Sequence, residues 1–489
     1  MMHPLRGLGL AGTLVLISMV ALVSTANSQS TTTSAYVYVQ VGGPAGAVYG
    51  YSASSGGQLT AIPGSPFKPG TQIVGGNGSQ FFTLGHTLLH SWAVNSNGAL
   101  GSQLSAVGFL NYTGGSCSDS QYGQNGAVLD HSGAYIYALL QNNADKSCSA
   151  YQTWRVNSDG SFTFVGDAEQ DWGDQTGNDA PSIDDLPSIL GNESFAYADT
   201  FNGESAARMG FKRASTGELQ LMDLQWTDPP TMTNSWNVEL PDASPVGNYV
   251  VYQFYNPGYN RQLGVYTVDS SGNLSTTNTF SNMPASQLMS PHSVFSPDGS
   301  MVVLYTAAQP IGTLGDGIEI YNFNGPAPLT LNTKLLNGTP IDQVAWDSTH
   351  HLYAISRSQG KMWVYAVGAG SAAQTALVSV TSPVSLVVVS QGSSAPAPCS
   401  AQVGDGISVC SPSNGAMTHS PVTINATAVV SGGVYRFELW NGSTKLLSED
   451  SGTMNGTVTL APGSYTLTFD AYNSTKSVHE YAKRTITVQ

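Results

Sequence analysis

A short hairpin phrase returns along most of the chain, and it limits the fold more than any other feature. Trp154 to Phe162 reads WRVNSDGSF: an aromatic and a β-branched residue, a turn ending in Gly, then an apolar residue that opens a return strand. Trp92 to Leu100, Phe211 to Leu219 and Tyr266 to Leu274 keep the same spacing. Tyr49 to Leu59 has a longer turn, and the phrases starting at Tyr321 and Tyr365 are looser copies. Asn, Asp and Ser open such turns by bonding their own backbone, and Gly takes the positive φ that would strain other residues. The anchors at 49, 92, 154, 211, 266, 321 and 365 lie 43, 62, 57, 55, 55 and 44 residues apart. Seven units of roughly 40–60 residues match the period of a propeller blade.

Composition agrees with an all-β chain. Only 10% of the 489 residues are charged, while 54 Gly and 25 Pro mark frequent turns. Ser, Thr, Asn and Gln supply the polar faces of the strands. The formal charge is −15 with 16 Lys and Arg in total. No basic run exists that could displace the counterions of a nucleic acid, so that class of partner is set aside.

Residues 1–28 read as a secretory signal peptide, with Arg6 before an apolar run from Leu8 to Val23 and small residues at Ser24 to Ala26. Nothing later is long and apolar enough to suggest a membrane span, so a secreted or periplasmic protein is expected. The four cysteines fit an oxidising compartment. Two local disulfides, Cys117 with Cys148 and Cys399 with Cys410, are the simplest of the three pairings.

The two ends of the repeat region complete each other. The first unit starts with its second strand, while an extra strand, Val384 to Val389, follows the seventh unit without partners of its own. Used as the missing inner strand, it closes the ring and removes two exposed edges. The expected organisation is a seven-bladed β-propeller over 35–390, a linker at 391–398, and a β-sandwich over 399–489.

Ser296-Pro297-Asp298-Gly299 followed by Met301 to Tyr305, the hairpins ending Ser-x-Gly-x-Leu, and Gly64-Ser65-Pro66-Phe67 resemble the lactonase-like, YVTN-type propellers. The likeness spans about 35–390 and implies the seven-bladed fold. The C-terminal part, with Ile407 to Pro412, Ser420-Pro421-Val422 and Pro462 to Tyr465, looks like the Ig-like modules of bacterial exported proteins. Lactonase-type propellers carry a His before the Pro-Asp-Gly turn, so the resemblance makes His292 the candidate catalytic residue. Its neighbour is Pro291 where the family phrase has Arg, and Ala307 and Ala308 stand where a carboxylate is wanted.

Other chemistry is sparse. No nucleophile elbow, P-loop or dinucleotide fingerprint occurs, and no cofactor is expected. His86 and His90 are too far apart on a continuous strand to share one metal. The acidic stretch 167–187 reads as a loop, in which Asp171, Asp174 and Asp179 are candidate calcium ligands beside the plainer reading of a solvated loop. Trp172 and Trp226, also read as loop residues, are candidate ligand contacts. The sequence therefore points to an exported binding scaffold. Its propeller loops would meet a protein, a glycan or a small ligand, and the Ig-like module would act as spacer or adhesion unit. A 6-phosphogluconolactonase-like lactone hydrolase centred on His292 is the alternative.

Overall fold

The computed structural model describes residues 33–42, 46–85, 87–110, 122–142, 148–171, 182–183, 185–201, 206–229, 237–255, 261–286, 288, 292–306, 316–391, 404–412, 414, 416–418, 422–458, 460 and 463–488. Every regular element among them is a β-strand. The expected signal peptide, Trp172, Asp174, Asp179, Cys117, Cys399, His86, Ala307 and Ala308 lie outside the described residues, as does most of the expected linker.

From Thr33 to Ser390 the strands form antiparallel sheets of four or five, seven among the described residues. The hairpin phrase supplies the turn between the third and fourth strands. In the third sheet, Cys148–Val156 pairs with Phe162–Asp171, and Gly160 (φ 85°) donates its N–H to the Asn157 carbonyl at 2.9 Å. The sixth sheet shows the plain order: His292–Phe295, Met301–Tyr305, Ile318–Asn322, Thr330–Leu335. Its second strand is buried throughout, because it has sheet on either face.

The first sheet is composite. Thr33–Val41 pairs with Val48–Ser54 on one side and with Pro383–Ser390 on the other. The late strand thus takes the place expected for it. It lies against both Gln72–Gly76, the leading strand of the second sheet, and Gln343–Trp346, the leading strand of the seventh. Buried residues alternate between the two faces of each sheet. Ala196 and Ala198 face the third sheet, while Tyr197 joins Tyr252, Phe254 and Tyr266 of the fifth.

Leu59–Ala61 is the outer strand of the first sheet, and Phe67 makes an isolated bridge to Val48. Pro63 lacks an N–H and interrupts the ladder. The loop expected from residue 167 begins later, since Phe162–Asp171 stays paired to its end and Asp171 lies opposite Cys148. The long partner strand carries the ladder through the acidic residues.

The C-terminal part forms two sheets. Gly406–Ser411, Val422–Val429 and Thr453–Val458 make one. The other contains Ala416–Thr418, His479–Val488, Gly463–Tyr472, Arg436–Asn441 and Thr444–Glu449, in that spatial order. Ile424, Ala426, Phe437, Leu439, Leu467, Phe469 and Ile486 fill the space between them. This is the expected sandwich. Cys148 and Cys410 lie in strands, but the partner expected for each is outside the described residues.

Candidate functional site at the leading strands of the propeller

His292 is the first residue of the leading strand of the sixth sheet. Its ring lies 5.5 Å from that of Tyr305, directly opposite in the ladder. The side chain is open to solvent yet surrounded by protein. Desolvation holds the imidazole below its ordinary pKa of 6.5, and the Asp185 charge opposes this only in part. At neutral pH His292 is therefore an uncharged base.

The carboxylates near it come from other sheets. Asp185 lies between Ser182–Ile183 and Ser188–Ile189 of the fourth sheet and shares a hydrogen bond with Asp199 on the neighbouring strand. Two carboxyl groups can bond only if one keeps its proton. Burial first, and then Asp185, raise the pKa of Asp199 well above the usual carboxylate range. Asp199 Oδ2 also accepts the Leu240 N–H at 3.3 Å, while Oδ1 has no donor.

Leu240 explains how the fifth sheet reaches in. The register of Asn237–Ala243 shifts between Glu239 and Asp242, and Leu240 sits at φ 53°. A non-glycine residue in the left-handed region is strained, and a bulge re-aims the groups around it. Here the bulge turns one N–H toward Asp199. Past it, burial raises the pKa of Asp242 to about 7 despite a hydrogen bond with Ser293. Asp242 Oδ2 is also buried without a donor, and its charge adds to the burial that raises the Tyr305 hydroxyl. Sheets four, five and six thus bring Asp185, Asp199, Asp242, Ser293, Tyr305 and His292 together. Among the described residues, the charge that bears on the His292 pKa is that of Asp185.

A separate recess of about 490 Å³ lies where the first, second and seventh sheets meet. Gln40, Gln72, Arg357, Ser382, Val384 and Ser385 line it. Gln40 is buried and holds its own frame, accepting the Ile73 N–H at 3.0 Å and donating to the Thr71 carbonyl at 3.2 Å. Ser382 is at φ 50°, a second strained residue. Arg357 is more than half exposed, with Asp342 at 3.7 Å.

Trp226 is placed elsewhere. It bridges to Leu274 and stacks on Tyr266 at 4.3 Å, while the Arg208 guanidinium carbon lies 3.6 Å from the indole centroid. Two groups so close cannot share one face, so both faces of the indole are occupied, and Asp228 accepts its N–H at 2.6 Å. The side chain packs between sheets four and five instead of standing free in a loop. The sequence singles out His292 as a candidate but not Asp199 or Asp242, for which no local motif exists. Asp185 was visible only as part of an acidic stretch. Among the described residues no group of three or more His, Cys, Asp or Glu could hold a metal ion.

Residues 406–475 match the family model of a bacterial Ig domain. No curated protein matches the chain. Among solved structures, a candidate 6-phosphogluconolactonase from Bacteroides uniformis is similar with a TM-score of 0.52 at 14% identity, covering 73% of this chain and all of the other. A periplasmic gluconolactonase from Pseudomonas aeruginosa has a TM-score of 0.49 at 13% identity, over 73% of this chain and 99% of its own. At such identities the first likeness speaks for a lactonase-like propeller fold and not for an activity.

Proposed function

We propose that this chain is an exported binding protein: a seven-bladed propeller over 35–390 that takes a small, uncharged, hydroxyl-rich ligand at its leading-strand face. Behind the linker at 391–398, the Ig-like domain serves as spacer or adhesion unit. The recess between the first, second and seventh sheets carries this reading. Its wall offers amides, hydroxyls, one apolar side chain and the Arg357 guanidinium, whose charge faces Asp342, around a volume suited to a sugar-sized molecule. Such a lining recognises hydroxyl groups by hydrogen bonds and has no acid–base pair for chemistry. The apolar stretch at residues 8–23 supports export, and two local disulfides fit that compartment.

Calorimetric titration of the mature protein with gluconate, glucono-1,5-lactone and common neutral hexoses tests the site. The expected result is saturable binding of an uncharged member that weakens about tenfold in Gln72→Ala, which removes one hydrogen bond. Gln72 is exposed, so this change leaves the fold intact. Absence of binding, or equal binding by both proteins, would reject the recess.

A second reading is lactone hydrolysis at His292, and the separation of acid from base favours it. An uncharged imidazole can take a proton from water while the proton-bearing Asp185–Asp199 pair stands near as acid. Glucono-1,5-lactone turnover that disappears in His292→Ala would establish it, and turnover at background in both proteins would dismiss it.

A further inference from the structure

Beside His292 stands a hydroxyl that nothing engages. Tyr305 ends Met301–Tyr305, the second strand of the sixth sheet, and pairs with His292 at the start of the leading strand. Residues directly opposite in a ladder share a face of the sheet. This face turns toward the seventh sheet, for Tyr305 joins a buried cluster with Ile341, Val344 and Trp346. The His292 and Tyr305 rings lie 5.5 Å apart with planes at 32°. Packing in that cluster holds the phenol ring and so fixes the direction of its hydroxyl. Among the described residues that hydroxyl has no hydrogen-bond partner, and it is not sealed from solvent as those of Tyr252 and Tyr266 are.

Adding water to a lactone puts negative charge on the carbonyl oxygen, and a fixed donor at that point lowers the barrier. The other groups gathered at His292 are already committed. Ser293 belongs to the opposite face, toward the fifth sheet, and is bonded to Asp242. Asp185 and Asp199 hold a hydrogen bond between them. Tyr305 is free to donate. Burial first, and then the Asp242 charge, raise its hydroxyl above the ordinary 10.0. The phenol therefore keeps its proton throughout the range in which His292 acts as a base.

On the reading of His292 as the base of a lactone hydrolase, we infer that Tyr305 is a second catalytic residue, the donor to the oxyanion. His292 takes one proton of water as the water oxygen bonds to the carbonyl carbon, and the π pair moves onto the carbonyl oxygen. That oxygen accepts a hydrogen bond from Tyr305, which stays protonated. Collapse re-forms the carbonyl and breaks the ring C–O bond, and the ring oxygen takes a proton from the Asp185–Asp199 pair. The imidazolium proton then returns to that pair through water, and the acid product ionises. The balance is lactone and water to a hydroxy-acid anion and one proton.

Initial rates of glucono-1,5-lactone hydrolysis by the mature protein, Tyr305→Phe and His292→Ala test the assignment. Tyr305→Phe is expected to lower kcat about a hundredfold to a thousandfold while KM stays within about twofold. The acid limb of its pH–rate profile, set by His292, stays in place. Its thermal unfolding is unchanged, since the phenyl ring keeps the packing and the lost hydroxyl had no partner among the described residues. Full kcat in Tyr305→Phe, with turnover abolished in His292→Ala, would overturn the assignment and leave hydrolysis at His292 standing. A slower Tyr305→Phe with a lower Tm or a shifted acid limb would also overturn it, because Tyr305 would then serve the fold or the base. Background turnover in the native protein would remove the hydrolase reading and this assignment with it.

Discussion

The hydroxyl of Tyr197 donates to the carbonyl of Gly272 at 2.9 Å, joining the second strand of the fourth sheet to the hairpin turn of the fifth. The same link recurs around the propeller. Tyr38 reaches Gly98 at 2.8 Å, Ser91 reaches Gly160 at 2.5 Å, and Tyr137 reaches Gly217 at 2.8 Å. Further on, Asn278 donates to the Pro326 carbonyl at 2.9 Å and Asn332 to that of Gly368 at 3.1 Å. Between the seventh and first sheets, Gln58 donates to the Thr375 carbonyl at 2.6 Å. Each sheet is thus hydrogen-bonded to a hairpin turn in its neighbour. The turn glycines serve twice: they allow the positive φ, and they present a carbonyl to the adjacent sheet.

Tyr197→Phe keeps the packing and leaves the Gly272 carbonyl without this donor. The expected loss is about 1–2 kcal/mol, read as a lower urea midpoint with an unchanged slope.

Gly191→Ala addresses the same junction from the backbone. A Cβ there would lie 1.7 Å from the Pro245 carbonyl oxygen, and the Gly191 N–H already bonds the Ser244 carbonyl at 3.0 Å. Neither side can yield without separating the two sheets. The expected destabilisation is at least about 3 kcal/mol, visible as a large fall in Tm or loss of soluble protein.

Arg213 joins the third and fourth sheets, with Asp130 at 3.1 Å and Glu193 at 2.5 Å. All three side chains are largely buried, so removing the cation strands two carboxylates. Arg213→Met is expected to cost about 3–5 kcal/mol, whereas adding Asp130→Asn and Glu193→Gln to it recovers much of that loss. Denaturant unfolding of the single and triple variants measures both.

Asp242 predicts a pH dependence. Its carboxyl moves from the ordinary 3.8 to about 7 on folding, because burial penalises the ionised form. A raised folded pKa means that stability is fully present below the unfolded value and declines as pH rises from about 4 through 7. Asp242→Asn removes that slope. Relative to the native protein, its Tm is expected to rise more at pH 8 than at pH 5, by roughly 2–4 °C for each kcal/mol recovered. Parallel Tm curves for the two proteins would contradict this.

The sheets were legible because their signals are local. Asn-Ser-Asp-Gly between an aromatic strand and an apolar one forms a hairpin whatever lies around it, and the unpartnered Val384 to Val389 had one edge left to fill. The acid cluster had no such signal. Asp199 is set apart by its burial, by Asp185 on a neighbouring strand and by the Leu240 N–H, which a left-handed backbone about forty residues later turns inward. The packing of Trp226 was hidden for a related reason. Its sequence neighbours Asp228 and Pro229 suggest a loop, whereas Arg208 and Tyr266, which cover its two faces, come from different sheets. A residue's partners across a sheet junction are set by register, and register does not show in a short window.

The pairing of Thr33–Val41 with Pro383–Ser390 also has a consequence in time. A ribosome makes the chain from one end, so the opening strand waits for its inner partner until Ser390 has emerged. Until then both it and the leading strand of the second sheet lack a neighbour. Completion is therefore a late event that belongs to the whole chain. A truncation before Pro383 would leave the earlier sheets without the piece that holds the first, second and seventh together.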